Sequence, residues 1–257
     1  MTTLTTGAAY ARALARELPR GAGNLLRLAP QLGLEIREVP ADGFDGALIR
    51  AREVPLGAIV IRKSIREAGR KNFTLAHEIG HFLLPGHDRA DLVCTKSDIG
   101  NWGDGSKTIE READEFAAEL LMPAAVVQRI IASSAPSLEL IQRIAHRFRT
   151  SLSAAAWRYC DLGKGPCAVV WSKEGRIDWS KRSETFPFSL RKGDSLPEGT
   201  FARRAFAGLP IPKPPQQVGS GLWGRSPNAS KEPKLYEQSK ALPTYGSVIS
   251  LLWVSAS

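Results

Sequence analysis

The chain has 257 residues, 43% of them hydrophobic and 24% charged, a globular balance that excludes a disordered, collagen-like or simple coiled-coil protein and leaves room for two domains. Its 35 Lys and Arg against 26 Asp and Glu give a net charge of +9, which permits an acidic partner without naming one. No run approaches the roughly 18 apolar residues of a membrane span, the N-terminus has no apolar secretory stretch, and the 3 cysteines fit neither a disulfide scaffold nor a CxxC metal pair. The expectation is a cytoplasmic protein in a reducing compartment, with no membrane partner.

In chain order, apolar residues recur at helical spacing from Ala8 to Leu18 and from Asn24 to Leu32, and Leu34 to Val39, Ala47 to Ala51 and Gly57 to Arg62 read as short strands. A long helix is expected from about Arg66 to Leu84, ended by Pro85-Gly86. Residues 87 to 107 read as a loop; 108 to 122, 124 to 132 and 137 to 160 read as further helices. Past Leu162, Gly and Pro become frequent and strand-like runs follow at Ala168 to Trp171, Arg176 to Trp179, Thr185 to Leu190 and Ser247 to Val254. Fourteen basic and eight acidic residues from Asp161 onward place six of the nine net charges there. Gly208 to Pro233, with six prolines, reads as a loop or insertion.

One motif carries chemistry. His77-Glu78-Ile79-Gly80-His81 is an HExxH sequence, and residues i and i+4 of a helix lie about 40° apart, so both imidazoles reach one metal ion. Glu78 lies beside that ion, where it takes the proton of a water whose pKa zinc lowers to roughly 7. On the helical wheel both histidines face away from the apolar stripe of Leu75, Ile79, Phe82 and Leu83. A catalytic zinc needs a third protein ligand. In Glu110 to Pro123, the residues Glu110, Asp114, Ala117 and Leu121 share one face and point inward, while Glu112, Glu115 and Glu119 read as a solvated face. Glu110 is the third ligand on this reading, and Asp114 is the outer acceptor that fixes the tautomer of a ligating histidine. His87, ten residues after His77, is the rival; Leu84 stands where the HExxHxxGxxH pattern needs its glycine, which leaves His87 lining the cleft or in the loop.

These two segments, Thr74 to His81 and Glu110 to Pro123, resemble the ImmA/IrrE family of metallo-endopeptidases, with its TLAHEIGH-like and ExxADxFAAELLMP-like helices. With the preceding strands the resemblance covers roughly residues 20 to 160. It implies an α+β fold with a zincin-like core, zinc on His77, His81 and Glu110, and Glu78 as general base. It also implies a helix-turn-helix (XRE-like) transcriptional repressor as substrate, with repression relieved after stress or in mobile-element induction.

Leu140 to Tyr159 looks like the helix-turn-helix segment that follows the core in this family, yet its second helix, Leu152 to Tyr159, offers one charge, Arg158. Packing or partner docking is favoured over base readout, although Arg143, Arg147 and Arg149 offer phosphate contacts. The domains expected are 1–133 for the peptidase, 134–162 for the helix-turn-helix-like segment and 163–257 for a β-rich accessory, sensor-like domain. Trp171, Trp179, Trp223 and Trp253 read as its core, and the cysteines, Cys94 included, read as buried or loop thiols. His87 and Arg111 remain open as a second oxyanion donor. The rival to the protease is a regulator with a non-catalytic metal fold that binds DNA or sequesters a repressor.

Overall fold

The computed structural model of the chain describes residues 6–17, 24–40, 42–51, 54–87, 91–94, 108–163, 165–224 and 234–255. The architecture is α+β, in two compact units. The first contains Met1–Val126 and Ala145–Ala154, and the second Val127–Ile144 and Ala155–Ser257; residues 134–162 therefore divide between them.

The first unit opens with α1 (Gly7–Glu17) and α2 (Leu25–Gln31), the latter capped by the Asn24 side chain, which accepts from Leu26 N at 3.1 Å. Its sheet takes β1 (Leu34–Val39), β2 (Gly46–Arg50), β3 (Gly57–Arg62) and β4 (Asp91–Cys94) in the order β1-β3-β2-β4. β1 runs parallel to β3, and β2 antiparallel to both β3 and β4. The loop expected over 87–107 thus contains a strand; four residues are too few to show periodicity, and the ladder with β2 makes it one. Residues 95–107 lie outside the described ones.

Against this sheet packs α3 (Ala68–Leu83), and α4 (Thr108–Leu121) packs on α3 and α1. Leu34, Leu48 and Ile59 from the strands meet Leu75 and Ile79 of α3 and Phe116 and Leu120 of α4 in one cluster, each large side chain contributing roughly 1.5–3 kcal/mol by leaving water. Gly80 sets the approach of the two helices: a Cβ there would stand 3.0 Å from Phe116 Cδ1. Phe73 through His81 are all buried, so the polar face of α3 is covered as fully as its apolar one.

After Pro123 come α5 (Ala124–Ala132), α6 (Leu138–Phe148) and α7 (Leu152–Leu162). Ser151 caps α7 by accepting from Ala154 N at 3.1 Å. The second unit adds β5 (Cys167–Lys173), β6 (Arg176–Arg182), α8 (Phe201–Phe206), β7 (Gln216–Val218), β8 (Leu235–Leu242) and β9 (Ser247–Val254), in an antiparallel sheet ordered β6-β5-β9-β8-β7. One face carries Ala168, Val170, Leu235 and Leu252 into a core with Phe186, Phe188 and Trp223.

The run Thr185 to Leu190 is not a strand. Phe186, Phe188 and Leu190 are buried in alternation, but Pro187 lacks the N–H a ladder needs, and the carbonyls of Phe188 and Leu190 accept instead from Arg182 Nη1 at 2.8 Å and Ser180 Oγ at 2.9 Å. Polar β8, by contrast, is an inner strand paired on both sides. Among the described residues no helix is long and apolar enough to cross a membrane.

Candidate metal centre

α3 and α4 bring the HExxH histidines and the acidic face of α4 together. His77 Nε2 and His81 Nε2 lie 2.9 Å apart, and Glu110 Oε2 lies 3.2 Å from the first and 3.4 Å from the second. Both histidines are fully buried, and Glu110 is partly so. Among the described residues these three form the one cluster whose ligand atoms converge closely enough to hold a metal ion. Ligands about 2.0–2.1 Å from a tetrahedral zinc stand about 3.3 Å from one another, so the triangle has the edge lengths of such a site within a few tenths of an ångström.

The outer ring of hydrogen bonds fits the same conclusion. His77 Nδ1 lies 2.9 Å from Asp114 Oδ1, so it donates its proton there and leaves Nε2 bare. His81 Nδ1 lies 3.0 Å from His87 Nδ1, and His87 Nε2 lies 3.1 Å from Glu112 Oε2. Glu112 accepts from His87, His87 accepts from His81, and the second Nε2 is left bare as well; these tautomers follow from the network. Two bare imidazole nitrogens and a carboxylate oxygen at contact distance repel one another unless a cation sits among them. The donor set therefore fits a metal ion.

Protonation points the same way. Burial lowers the His81 pKa, with hydrogen bonding to Glu110 opposing it, which favours the neutral imidazole a metal requires. For Glu110 burial raises the pKa, but whenever protons on the His77 and His81 Nε2 atoms take the place of a cation, their hydrogen bonds outweigh burial and hold the carboxyl well below the usual carboxylate range.

Glu78 is also completely buried. Its carboxylate lies against the start of β2, where a Cβ on Gly46 would stand 2.7 Å from Glu78 Oε1 and would also collide with Thr74 Cγ2; only glycine lets the strand pass this close. The preceding residue, Asp45, is buried and bonds both Arg62 Nη2 at 2.6 Å and Arg70 Nε at 2.8 Å, pinning β2 to β3 and to α3. At the far end of β2, Arg50 Nη2 donates to the carbonyl of His81 and, at 3.4 Å, to that of His87, with its guanidinium 5.0 Å above the Phe82 ring. It ties the end of α3 to the turn that delivers His87.

Two readings of α4 change. Glu112 and Glu119 are not on a solvated face: Glu112 holds His87, and Glu119 is buried with Arg12 Nη1 of α1 at 3.6 Å and the amide of Ala124 at 3.3 Å. A helical wheel assigns faces from one helix, whereas α4 is covered on more than one side. Of the two oxyanion candidates, His87 has both nitrogens engaged and Arg111 is exposed, 3.8 Å from Glu115. Gly46, Asp45, Arg50 and Glu112 had no sequence signal as site residues.

The profile of the IrrE N-terminal-like domain, a peptidase family, matches residues 29–159. The chain belongs to this family. Among the curated relatives, the radiation response metalloprotease IrrE of Deinococcus radiodurans is 31% identical over 143 residues, 54% of this chain and 40% of that protein. The protein of the same name from Deinococcus deserti is 30% identical over 183 residues, 65% of this chain and 62% of that one. The chain thus spans less than two thirds of the length of either relative. Its fold is similar to that of a Mycobacterium tuberculosis transcriptional regulator, with a TM-score of 0.59 and 17% identity over 96% of this chain and 75% of the other. Both IrrE relatives are named as metalloproteases, which agrees with a metal ion on His77, His81 and Glu110 of this IrrE-family chain.

Proposed function

We propose that this IrrE-family chain is a zinc-dependent endopeptidase that cleaves a helix-turn-helix (XRE-like) transcriptional repressor and so relieves repression under stress or on mobile-element induction. The observation that carries the proposal is the convergence of two bare Nε2 atoms of α3 with Glu110 of α4, beside the buried carboxylate of Glu78 on α3. A structural zinc site closes its fourth position with a protein ligand and needs no acid beside it.

A zinc ion held by His77, His81 and Glu110 supplies Lewis acidity for water and for the scissile carbonyl. Glu78 takes the proton of the attacking water and returns it to the leaving amine. Asp114 and the His87–Glu112 pair keep the two imidazoles in the tautomer that presents Nε2. Gly46 and Thr74 confine the Glu78 carboxylate.

The test compares protein N-termini in cells making wild type or Glu78→Gln at equal abundance, with and without DNA-damaging stress. A new N-terminus within a helix-turn-helix repressor, seen with wild type only, is the expected result. In vitro, cleavage of that repressor should fall by about 10²–10⁴-fold in Glu78→Gln while bound zinc stays equal to wild type. Identical N-terminal profiles with an unchanged regulatory phenotype would replace catalysis by DNA binding or sequestration. Against groove reading stands the burial of every residue from Ala154 to Cys160 in α7.

A further inference from the structure

The second unit contains a pair of thiols that the peptidase chemistry does not use. Cys160 lies in the last turn of α7, Cys167 begins β5, and the short connection through Gly163, Gly165 and Pro166 turns the chain back so that the two side chains meet. Both are unbridged and buried, and their thiols are hydrogen-bonded to each other. Cys160 Sγ also lies 3.5 Å from the carbonyl of Lys181.

The two sulfurs differ in character. The hydrogen bond from Cys160, against the effect of burial and with help from Ser183, lowers the Cys167 pKa; the same hydrogen bond together with burial raises that of Cys160. Cys167 is therefore the thiolate-forming member, and the thiolate is the nucleophile.

They also differ in access. Cys167 forms part of the wall of a cavity of about 210 Å³ whose other sides include Ile131, Tyr159, Leu162, Trp253 and Val254. Liquid water takes about 30 Å³ per molecule, so the cavity has room for a small peroxide beside Cys167. A buried cysteine with only a packing role behaves as a small hydrophobe; it needs neither a second thiol in hydrogen-bond contact nor a place in a cavity wall.

We propose that Cys160 and Cys167 are a reversible redox modification site, a dithiol that hydroperoxides entering this cavity convert to a disulfide. The Cys167 thiolate attacks the peroxide, the O–O bond breaks, and the departing oxygen leaves as hydroxide or alkoxide and takes up a proton. Cys167 becomes a sulfenic acid. The Cys160 sulfur then attacks that sulfur, the S–O bond breaks, and water leaves with the Cys160 proton. The two thiols lose two electrons, and the peroxide gains them. Disulfides in a reducing compartment are characteristically transient and redox-sensing. The inference does not rest on the metal site and is tested without it.

The experiment uses the full chain carrying Cys94→Ser, so that two thiols remain. Hydrogen peroxide is added at about one equivalent per chain, free thiols are alkylated, and the digest is examined by mass spectrometry. The expected result is a Cys160–Cys167 cross-linked peptide lighter by two hydrogens, loss of both alkylation sites, and recovery of both with dithiothreitol. Cys160→Ser in that background should stop at a sulfenic acid on Cys167, trapped by dimedone, and Cys167→Ser should slow peroxide consumption at least about tenfold. Both thiols remaining fully alkylatable in the denatured, peroxide-treated chain would overturn the inference, and so would cross-links that join only different chains. The cross-linked peptide is read in the chain with both thiols present, so misfolding of either serine variant leaves the test standing.

Discussion

Each unit withdraws a carboxylate from water, Glu237 wholly and Glu110 in part, and the two have opposite fates. Glu237 in β8 of the second unit is fully buried and accepts from Trp223 Nε1 at 2.9 Å, Ser239 Oγ at 2.7 Å and Ala202 N at 3.0 Å. Burial still dominates, and its pKa is raised. Glu110 in α4 of the first unit meets two imidazole nitrogens instead and is held low. Glu237 sits among donors of fixed proton count, which tie α8, the turn at Trp223 and β8 together. Glu110 sits among imidazole nitrogens whose Nδ1 partners let them face a cation without a proton. The difference separates a carboxylate that holds a fold from one placed to meet a cation: what counts is the kind of atom that faces it.

The sharpest way to break this contrast is to remove each charge in turn. Glu110→Gln should weaken zinc binding by more than the roughly 10–100-fold that loss of an outer partner costs, with the fold intact by circular dichroism. Glu237→Gln should leave zinc affinity unchanged and cost about 1–3 kcal/mol of stability in denaturant melts, because one buried donor faces an NH₂ group. Equal zinc affinity in the two variants would show that depth alone had been read.

Within the first unit, Asp114→Asn and His87→Phe should each lower zinc affinity by about 10–100-fold, measured by competition with a chromogenic chelator. His87→Gln, which retains a polar group for Glu112 and His81, should recover part of the loss. If His87→Phe binds zinc like wild type, the His81–His87–Glu112 chain is packing alone.

The smallest effect concerns pH. The folded-state pKa of Glu237 is raised above its ordinary 4.5, so the stability it contributes is complete below that value and is lost as pH rises through the folded-state pKa. Melts of wild type between roughly pH 4 and pH 7 should show this decline, and Glu237→Gln should lack it. A decline of equal size in the variant would assign it to other groups.

Much of the centre is legible in the sequence because it is local. The i,i+4 spacing of His77 and His81 and of Glu110 and Asp114 follows from one helix at a time, and the structure carries all four on α3 and α4. β1 and β3 were legible from short β-branched runs between turn residues, and the end of α3 from Pro85-Gly86. The misses have one cause. Thr185 to Leu190 alternates like a strand but only lays its side chains on a core, and β8, polar by composition, is a strand because β7 and β9 flank it. Glu112 and Glu119 read as solvated until α1 and the His87 turn are placed against α4.

The sequence by itself determined which side chains make up the candidate centre and which helices present them, since helical periodicity is a property of consecutive residues. Only the tertiary structure decided what surrounds them: Gly46 and Thr74 against Glu78, Asp45 between Arg62 and Arg70, His87 and Glu112 behind His81, and Cys160 on Cys167. Those contacts join separate elements or the two ends of a turn. They depend on how surfaces exclude water and satisfy buried polar groups together, a condition no local window of residues contains.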